Sequence, residues 1–275
     1  MSAMRGSVGI GTAIKGAAVL GAILFLFSIS GKVVETVGAD EIVIMQTPFS
    51  GTLECWASPG VYGQWWGGLT RFRKSEQFWF SAPQRGEDKD KVDLSIKVRF
   101  NDNGHGNLSG SLRFEMPLDC AHLKEIRTRF PTQAAIEQQL IRTVVERAVY
   151  MSGPLMSSKE SASERRPDLI QYIEDQVING VYKTQTEDVK MVDPLSGKEK
   201  TVSRVKLVLD LKQPNGLARQ EQSPLTQFGL RIYNVTINSI TYDDTVEKQL
   251  TEQQAMLMQV QTAMALLERA SGAAG

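Results

Sequence analysis

The chain has 275 residues, 31 of them basic and 31 acidic, with no formal net charge, two cysteines and two histidines. That length holds one large domain or two small ones. Balanced charge without a Lys/Arg block argues against a nucleic-acid or other polyanionic partner, and two histidines cannot build a multi-histidine metal centre.

The first feature in chain order is Gly16 to Ile29, GAAVLGAILFLFSI, which carries no charge. The uninterrupted uncharged run ends at Gly31 and has 16 residues, just short of a usual spanning helix. Lys15 and Lys32 can extend their ammonium groups outward, so Ala13 to Val34 offers 22 residues. At roughly 1.5 Å per residue that is about 33 Å of helix. We therefore expect a retained transmembrane helix, with a cleaved signal peptide and a buried helix as competing readings. Ala13, Ala17 and Gly21 form a small-residue ladder suited either to close helix contact or to lipid. Arg5 and Lys15 precede the span and only Lys32 follows closely. The expected topology is single-pass, with the N-terminus cytoplasmic and the large domain extracytoplasmic or periplasmic.

After a linker over 35–39, DEIVIMQTPFSGTLECWASPG reads as two short strands around a Pro48–Gly51 turn, ending at Pro59-Gly60. The next stretch is aromatic and broken by Gly63, Gly67 and Gly68, a poor candidate for a helix. Trp56, Trp65 and Trp66 are candidate membrane-interface residues, because an indole suits the headgroup layer; packing within the domain is the other reading. Cys55 and Cys120 lie in different segments, and both a disulfide and two buried free thiols remain open.

From Lys89 to Phe100 apolar residues alternate at Val92, Leu94, Ile96, Val98 and Phe100; a polar turn and a partner strand bearing Leu108, Leu112 and Phe114 complete a hairpin. Asp119 can cap a helix with Leu123, Ile126 and Phe130 on its apolar face. A second helix runs through Ile136, Leu140, Val144, Ala148 and Met151 to Gly153-Pro154, and MSSKESASERR reads as a polar loop. Pro167 opens a third helix that Gly180 closes. Residues 189–192 and 202–211 form another hairpin, and FGLRIYNVTINSITY is a strand whose apolar phase changes near Asn234, as a bulge would require. Asn107 and Asn234 match glycosylation acceptors and receive no function. Strands followed by helices make an α+β class with helices covering a mostly antiparallel sheet.

From Asp243 or Asp244 to about Ala270 the chain reads as one helix. Leu250, Gln253, Leu257, Val260, Met264 and Leu267 follow three-four spacing and are the candidate oligomerisation residues. No charge occurs between Glu252 and Glu268, so the remaining faces are also poorly suited to water. Burial among copies of the chain is expected; a second membrane-associated helix and packing back onto the parent domain are the alternatives.

Neither a Ser-His-acid arrangement, a glycine-rich nucleotide loop, HExxH nor CxxC is present. His122 reads as a surface or interface residue. We expect no enzyme activity, catalytic residue, metal or cofactor.

The order of ADEIVIMQTPFSGTLECWASPG, VDLSIKVRF, the Gln133 to Tyr150 helix and FGLRIYNVTINSITYDDTVEKQLTEQQAM resembles the SPFH, or band 7, family of stomatins, prohibitins, flotillins and bacterial membrane-protease modulators. The resemblance implies two SPFH subdomains, here 35–115 and 116–243, after an N-terminal tail (1–12) and a transmembrane helix (13–34) and before a C-terminal oligomerisation helix (244–271). It implies many copies assembled side by side on a lipid bilayer, organising a microdomain or enclosing a membrane protease or another membrane protein. Carried over by residue, Trp65 and Trp66 fall in the part that meets the bilayer, and Leu250 to Leu267 in the inter-subunit helix. Two features depart from the family: the hairpin around Val189–Leu211 with its following loop is enlarged, and the final helix is short. The expected function is a membrane-anchored homo-oligomeric scaffold, with a ring-forming structural or pore-like envelope component as the alternative.

Overall fold

The computed structural model describes Val19, Gly21 and residues 33–82, 92–192 and 199–272, and divides into two units. Unit 1 is drawn from residues up to Lys74 together with Pro117–Gln133, and unit 2 from Ser75–Met116 and Ala134 onward.

In unit 1, β1 (Val34–Val37) pairs antiparallel with β4 (Gly60–Gly63), while β2 (Glu41–Gln46) lies between β3 (Leu53–Trp56) and β5 (Gly68–Arg73). β2 reads EIVIMQ and buries Ile42 through Met45, as a central strand covered on both faces must. Helix α1 (Cys120–Arg129) lies against β2 and β3 and buries Leu123 and Ile126. The carboxylate of Asp119 accepts from the His122 backbone N–H at 3.0 Å and caps it, and the same interaction, with the His122 ring, holds the carboxyl below its usual range. A disulfide joins Cys55 of β3 to Cys120 at the start of α1, which resolves the state of the two cysteines.

Unit 2 is built on β8 (His105–Glu115). Its register places β11 (Arg231–Tyr242) along one side, with β7 (Ile96–Arg99) and β6 (Ser75–Phe80) end to end along the other, all antiparallel. Gly110 is required in mid-strand, because a Cβ there would lie 2.2 Å from the Thr236 carbonyl oxygen and 2.8 Å from the Phe80 ring. The phase change in β11 is a bulge: the register shifts between Tyr233 and Thr236, and Asn234 takes a left-handed φ of 54°. Of the strand foreseen from Lys89, residues 89–91 lie outside the described residues. Pairing begins at Ile96, and Val92 is exposed.

The helices of unit 2 are α2 (Gln133–Ala135), which continues through a π-helical stretch (Ile136–Ile141) into α3 (Arg142–Ser152), then α4 (Ser158–Ala162), α5 (Arg166–Asn179), α6 (Pro224–Gln227) and α7 (Asp244–Gly272). Helix α4 replaces the expected polar loop. Ser157 and Glu160 form a reciprocal capping box, and Asp102 accepts from the Ser158 backbone N–H at 2.9 Å and its hydroxyl at 2.6 Å. β9 (Thr184–Val192) and β10 (Glu199–Leu207) form a separate two-stranded sheet.

The fold class is mixed α+β, and one expectation needs correction. Among the described residues no helix is long and apolar enough to cross a membrane. The predicted span, 13–34, lies outside the described residues except for Val19, Gly21, Val33 and Val34, and Val34 opens strand β1 rather than closing a helix. The second candidate, α7, has 29 residues but mixes its apolar side chains with glutamine, threonine and, in its first turns, charge. The transmembrane helix, the single-pass localisation with a cytoplasmic N-terminus, the membrane-anchored scaffold and the membrane-envelope alternative are therefore not supported.

Candidate functional site

The surface with the most unusual chemistry is α7. Val246 is buried near its start, and β11 and α4 lie against the helix. Beyond that, every described side chain from Thr251 to Leu266 is exposed. Six of these are large and apolar (Met256, Leu257, Met258, Val260, Met264 and Leu266), with exposures from 51% at Val260 to 68% at Met258. Leu250 is half-buried, Gln253 is exposed, and the side chain of Leu267 lies outside the described residues. Successive residues on a helix point about 100° apart, so Met256, Leu257 and Met258 alone face widely separated directions. The apolar surface encircles the helix, whereas the three-four spacing marks only a seam. Shallow grooves between Met258, Thr262 and Leu266, floored by Ala255, Ala263 and Ala265, run along its flanks.

A second surface lies at one end of the unit 1 sheet. Gln46 pairs with both Leu53 and Gly68, so the β2–β3 turn and the β4–β5 loop leave the sheet at the same end. In the turn, the hydroxyls of Thr47, Ser50 and Thr52 contact one another at 2.6 to 2.9 Å, and Phe49 is 100% exposed. In the loop, Trp65 and Trp66 are exposed and hold φ of 47° and 62°, a region costly for residues with a Cβ. Trp56 occupies a different place. It is buried with Val37, Val43 and Met45 and stacks on Tyr62 at 4.9 Å. Phe49 escaped the sequence reading, although an aromatic inside a Pro48–Gly51 turn signals exposure.

The strain at Trp66 leads to a measurable outcome. Trp66→Gly is expected to raise the unfolding free energy of unit 1 by up to about 1 kcal/mol, read as a higher denaturation midpoint, because glycine adopts positive φ without the Cβ clash. A loss of stability instead would mean that the indole contributes more by contact than its backbone costs.

The densest buried polar network surrounds Asp175 on α5. Its carboxylate accepts from the Tyr182 hydroxyl at 2.6 Å, Asn179 Nδ2 at 2.8 Å, Asn215 Nδ2 at 2.7 Å and Arg219 Nη2 at 2.5 Å. The Arg219 guanidinium lies 4.7 Å from the centre of the Tyr182 ring and donates through Nη1 to the Gly180 carbonyl at 2.8 Å. Burial pushes the Asp175 carboxyl up, but the donors from Tyr182, Asn179 and Arg219 outweigh it and leave the group below its usual value. Burial, then the adjacent carboxylate, pushes the Tyr182 phenol far up, so it stays a donor. Every carboxylate oxygen is committed to a donor from the protein. This arrangement fixes a loop rather than transferring a proton.

Two further polar clusters are paired within the protein. His122 Nδ1 lies 2.7 Å from Asp119 Oδ2, and a cleft between β7 and α3 is lined by Arg142 and Arg147, which pair with Glu146 at 2.7 Å and Glu221 at 2.5 Å. Among the described residues no group of three or more His, Cys, Asp or Glu side chains could hold a metal ion. No protein-family model matches the chain, and no curated protein is significantly similar to it.

Proposed function

We propose that the chain is a self-assembling structural protein, acting by forming a homo-oligomer of many copies through α7 rather than by turnover. The observation that carries this reading is the run of exposed side chains from Thr251 to Leu266, which leaves an apolar helix in water along most of its length. Burying one such side chain is worth about 1.5–3 kcal/mol, so six supply a substantial association energy. The occupant is a second copy of the helix because α7 is uncharged between Glu252 and Glu268. Identical helices can therefore lie side by side without like-charge repulsion, and Gln253, Gln254, Gln259 and Gln261 can donate to and accept from their counterparts. A two-stranded coiled coil would cover one stripe only. Apolar groups on all sides call for neighbours on both flanks, hence a wall of helices. The order of strands and helices that resembles the SPFH family supports the same reading.

Light scattering on the purified full chain is expected to give a homogeneous mass many times the 30.4 kDa subunit. Truncation before Leu250, or Leu257→Glu with Val260→Glu in the intact chain, is expected to reduce it to monomer or dimer. A monomeric full chain, or an assembly indifferent to both changes, would remove α7 as the assembly element.

A further inference from the structure

The β9–β10 hairpin is the part of unit 2 that the α7 reading does not use. Its strands pair with each other over nine residues each and with no third strand among the described residues. β10 also lies against the turn at Gly153–Leu155. Two strands alone are marginal in water, and a hairpin of this length ordinarily gains a third strand or a covering helix. Edges that must stay unpaired are usually protected by proline, a bulge, shortness or charged side chains, lysine above all. This hairpin has no proline, glycine or bulge, its register running from Thr184↔Leu207 to Val192↔Glu199 without a shift; what it carries is charge, of opposite net sign on its two strands, which opposes pairing between like edges only. β11, in contrast, is interrupted by two register shifts. At roughly 3.3 Å per residue the hairpin presents about 30 Å of regular edge on each side.

The two edges differ in charge. β9, TQTEDVKMV, holds Glu187, Asp188 and Lys190 and sums to −1; β10, EKTVSRVKL, holds Glu199, Lys200, Arg204 and Lys206 and sums to +2. Within the hairpin the pattern is complementary: Lys206 pairs with Glu187, Lys190 lies 3.9 Å from Glu199, and the Ser203 hydroxyl donates to Asp188 at 2.5 Å. On a sheet each side chain has a lateral neighbour on either side, so the same complementarity is available again across an outer edge.

We propose that the hairpins of adjacent copies pair head to tail, the acidic β9 of one chain with the basic β10 of the next, extending the sheet from copy to copy. The proposal rests on the self-assembly reading and adds its lateral contact. Like edges are disfavoured because two β10 strands would bring +2 against +2. Unlike edges give a heterologous contact, which generates a ring when the rotation closes. Such a contact provides every copy with a neighbour on each flank, and α7 needs neighbours on both flanks to cover its circumference.

Asp188 and Ser203 face each other in the intrachain register, and both are exposed. The test co-expresses full-length Asp188→Cys and Ser203→Cys chains; each carries one new thiol, since Cys55 and Cys120 are already joined. Oxidation is expected to give a reducible band at twice the subunit mass from the co-expressed pair and none from either variant alone. A link in Asp188→Cys alone would overturn the head-to-tail arrangement in favour of pairing between like edges. No link in the pair, while light scattering still gives the large particle, would overturn the hairpin contact and leave the α7 reading standing. A monomer with no link would overturn both.

Discussion

Asp175→Ala is expected to destabilise unit 2 by about 3–5 kcal/mol, the usual cost of removing one partner from a buried ion pair. The physical reason lies in what remains. The Asp175 and Arg219 side chains are only 7% and 5% exposed, so the truncation strands a guanidinium charge with little access to water. It also deprives the Tyr182 hydroxyl, Asn179 and Asn215 of a common acceptor, and Tyr182 and Asn215 tie α5 to the segments that follow it. Asp175→Asn keeps the volume but not the charge and is expected to recover only part of the loss. Tyr182→Phe leaves the ion pair intact and should cost about 1–3 kcal/mol, the penalty of one unmatched buried acceptor site. Urea denaturation followed by far-ultraviolet circular dichroism reads all three. A loss below about 1 kcal/mol for Asp175→Ala would show that water replaces the carboxylate, contrary to its burial. The pH dependence has a definite sign. The folded carboxyl is depressed, so its contribution is fully present above the unfolded carboxylate value and is lost as pH falls through the folded one. Acid sensitivity should therefore weaken in Asp175→Asn.

That network was not legible in the sequence, for a physical reason. Its members lie from four to 44 positions apart along the chain and belong to a helix, a bridge and a loop that share no local pattern. Features decided within one or two turns read correctly. Asp119 caps α1, Pro167 opens and Gly180 closes α5, and the alternation around Ile96 and Val98 pairs with β8, because capping and pleating depend on near neighbours. α4 carried a local signal that was passed over: Ser157 and Glu160 stand at capping-box spacing, but serine-rich composition favoured a loop. The aromatic stretch after Pro59 concealed β4, β5 and β6, since its glycines read as breakers. One of them, Gly67, is required instead by a close approach: a Cβ there would lie 2.7 Å from the Met45 side chain and 2.8 Å from the Gln46 carbonyl oxygen. The surface of α7 was legible because an absence of charge is a property of the sequence itself. The membrane reading rested on hydrophobicity over a stretch outside the described residues, and nothing in the described fold supports it.

Reduction of the Cys55–Cys120 disulfide is expected to destabilise unit 1 by about 4 kcal/mol, the chain-entropy value for closing a loop of this size. The two cysteines are 65 residues apart, and the segments that separate them belong largely to unit 2. Without the bond, α1 is held on β2 and β3 chiefly by Leu123 and Ile126, and its return across so long an excursion must be stabilised by contact alone. Thiol reductant should lower the denaturation midpoint of unit 1, and Cys55→Ser with Cys120→Ser should lower it equally and abolish the response to reductant. Equal midpoints for oxidised and reduced protein would mean that apolar contact already fixes α1. The same reduction separates the roles of the two units: α7 and the β9–β10 hairpin both belong to unit 2, so the mass of the assembled particle should be unchanged when the disulfide opens. A particle that dissociates on reduction would instead place an assembly contact in unit 1, where Phe49, Trp65 and Trp66 are among the exposed apolar side chains.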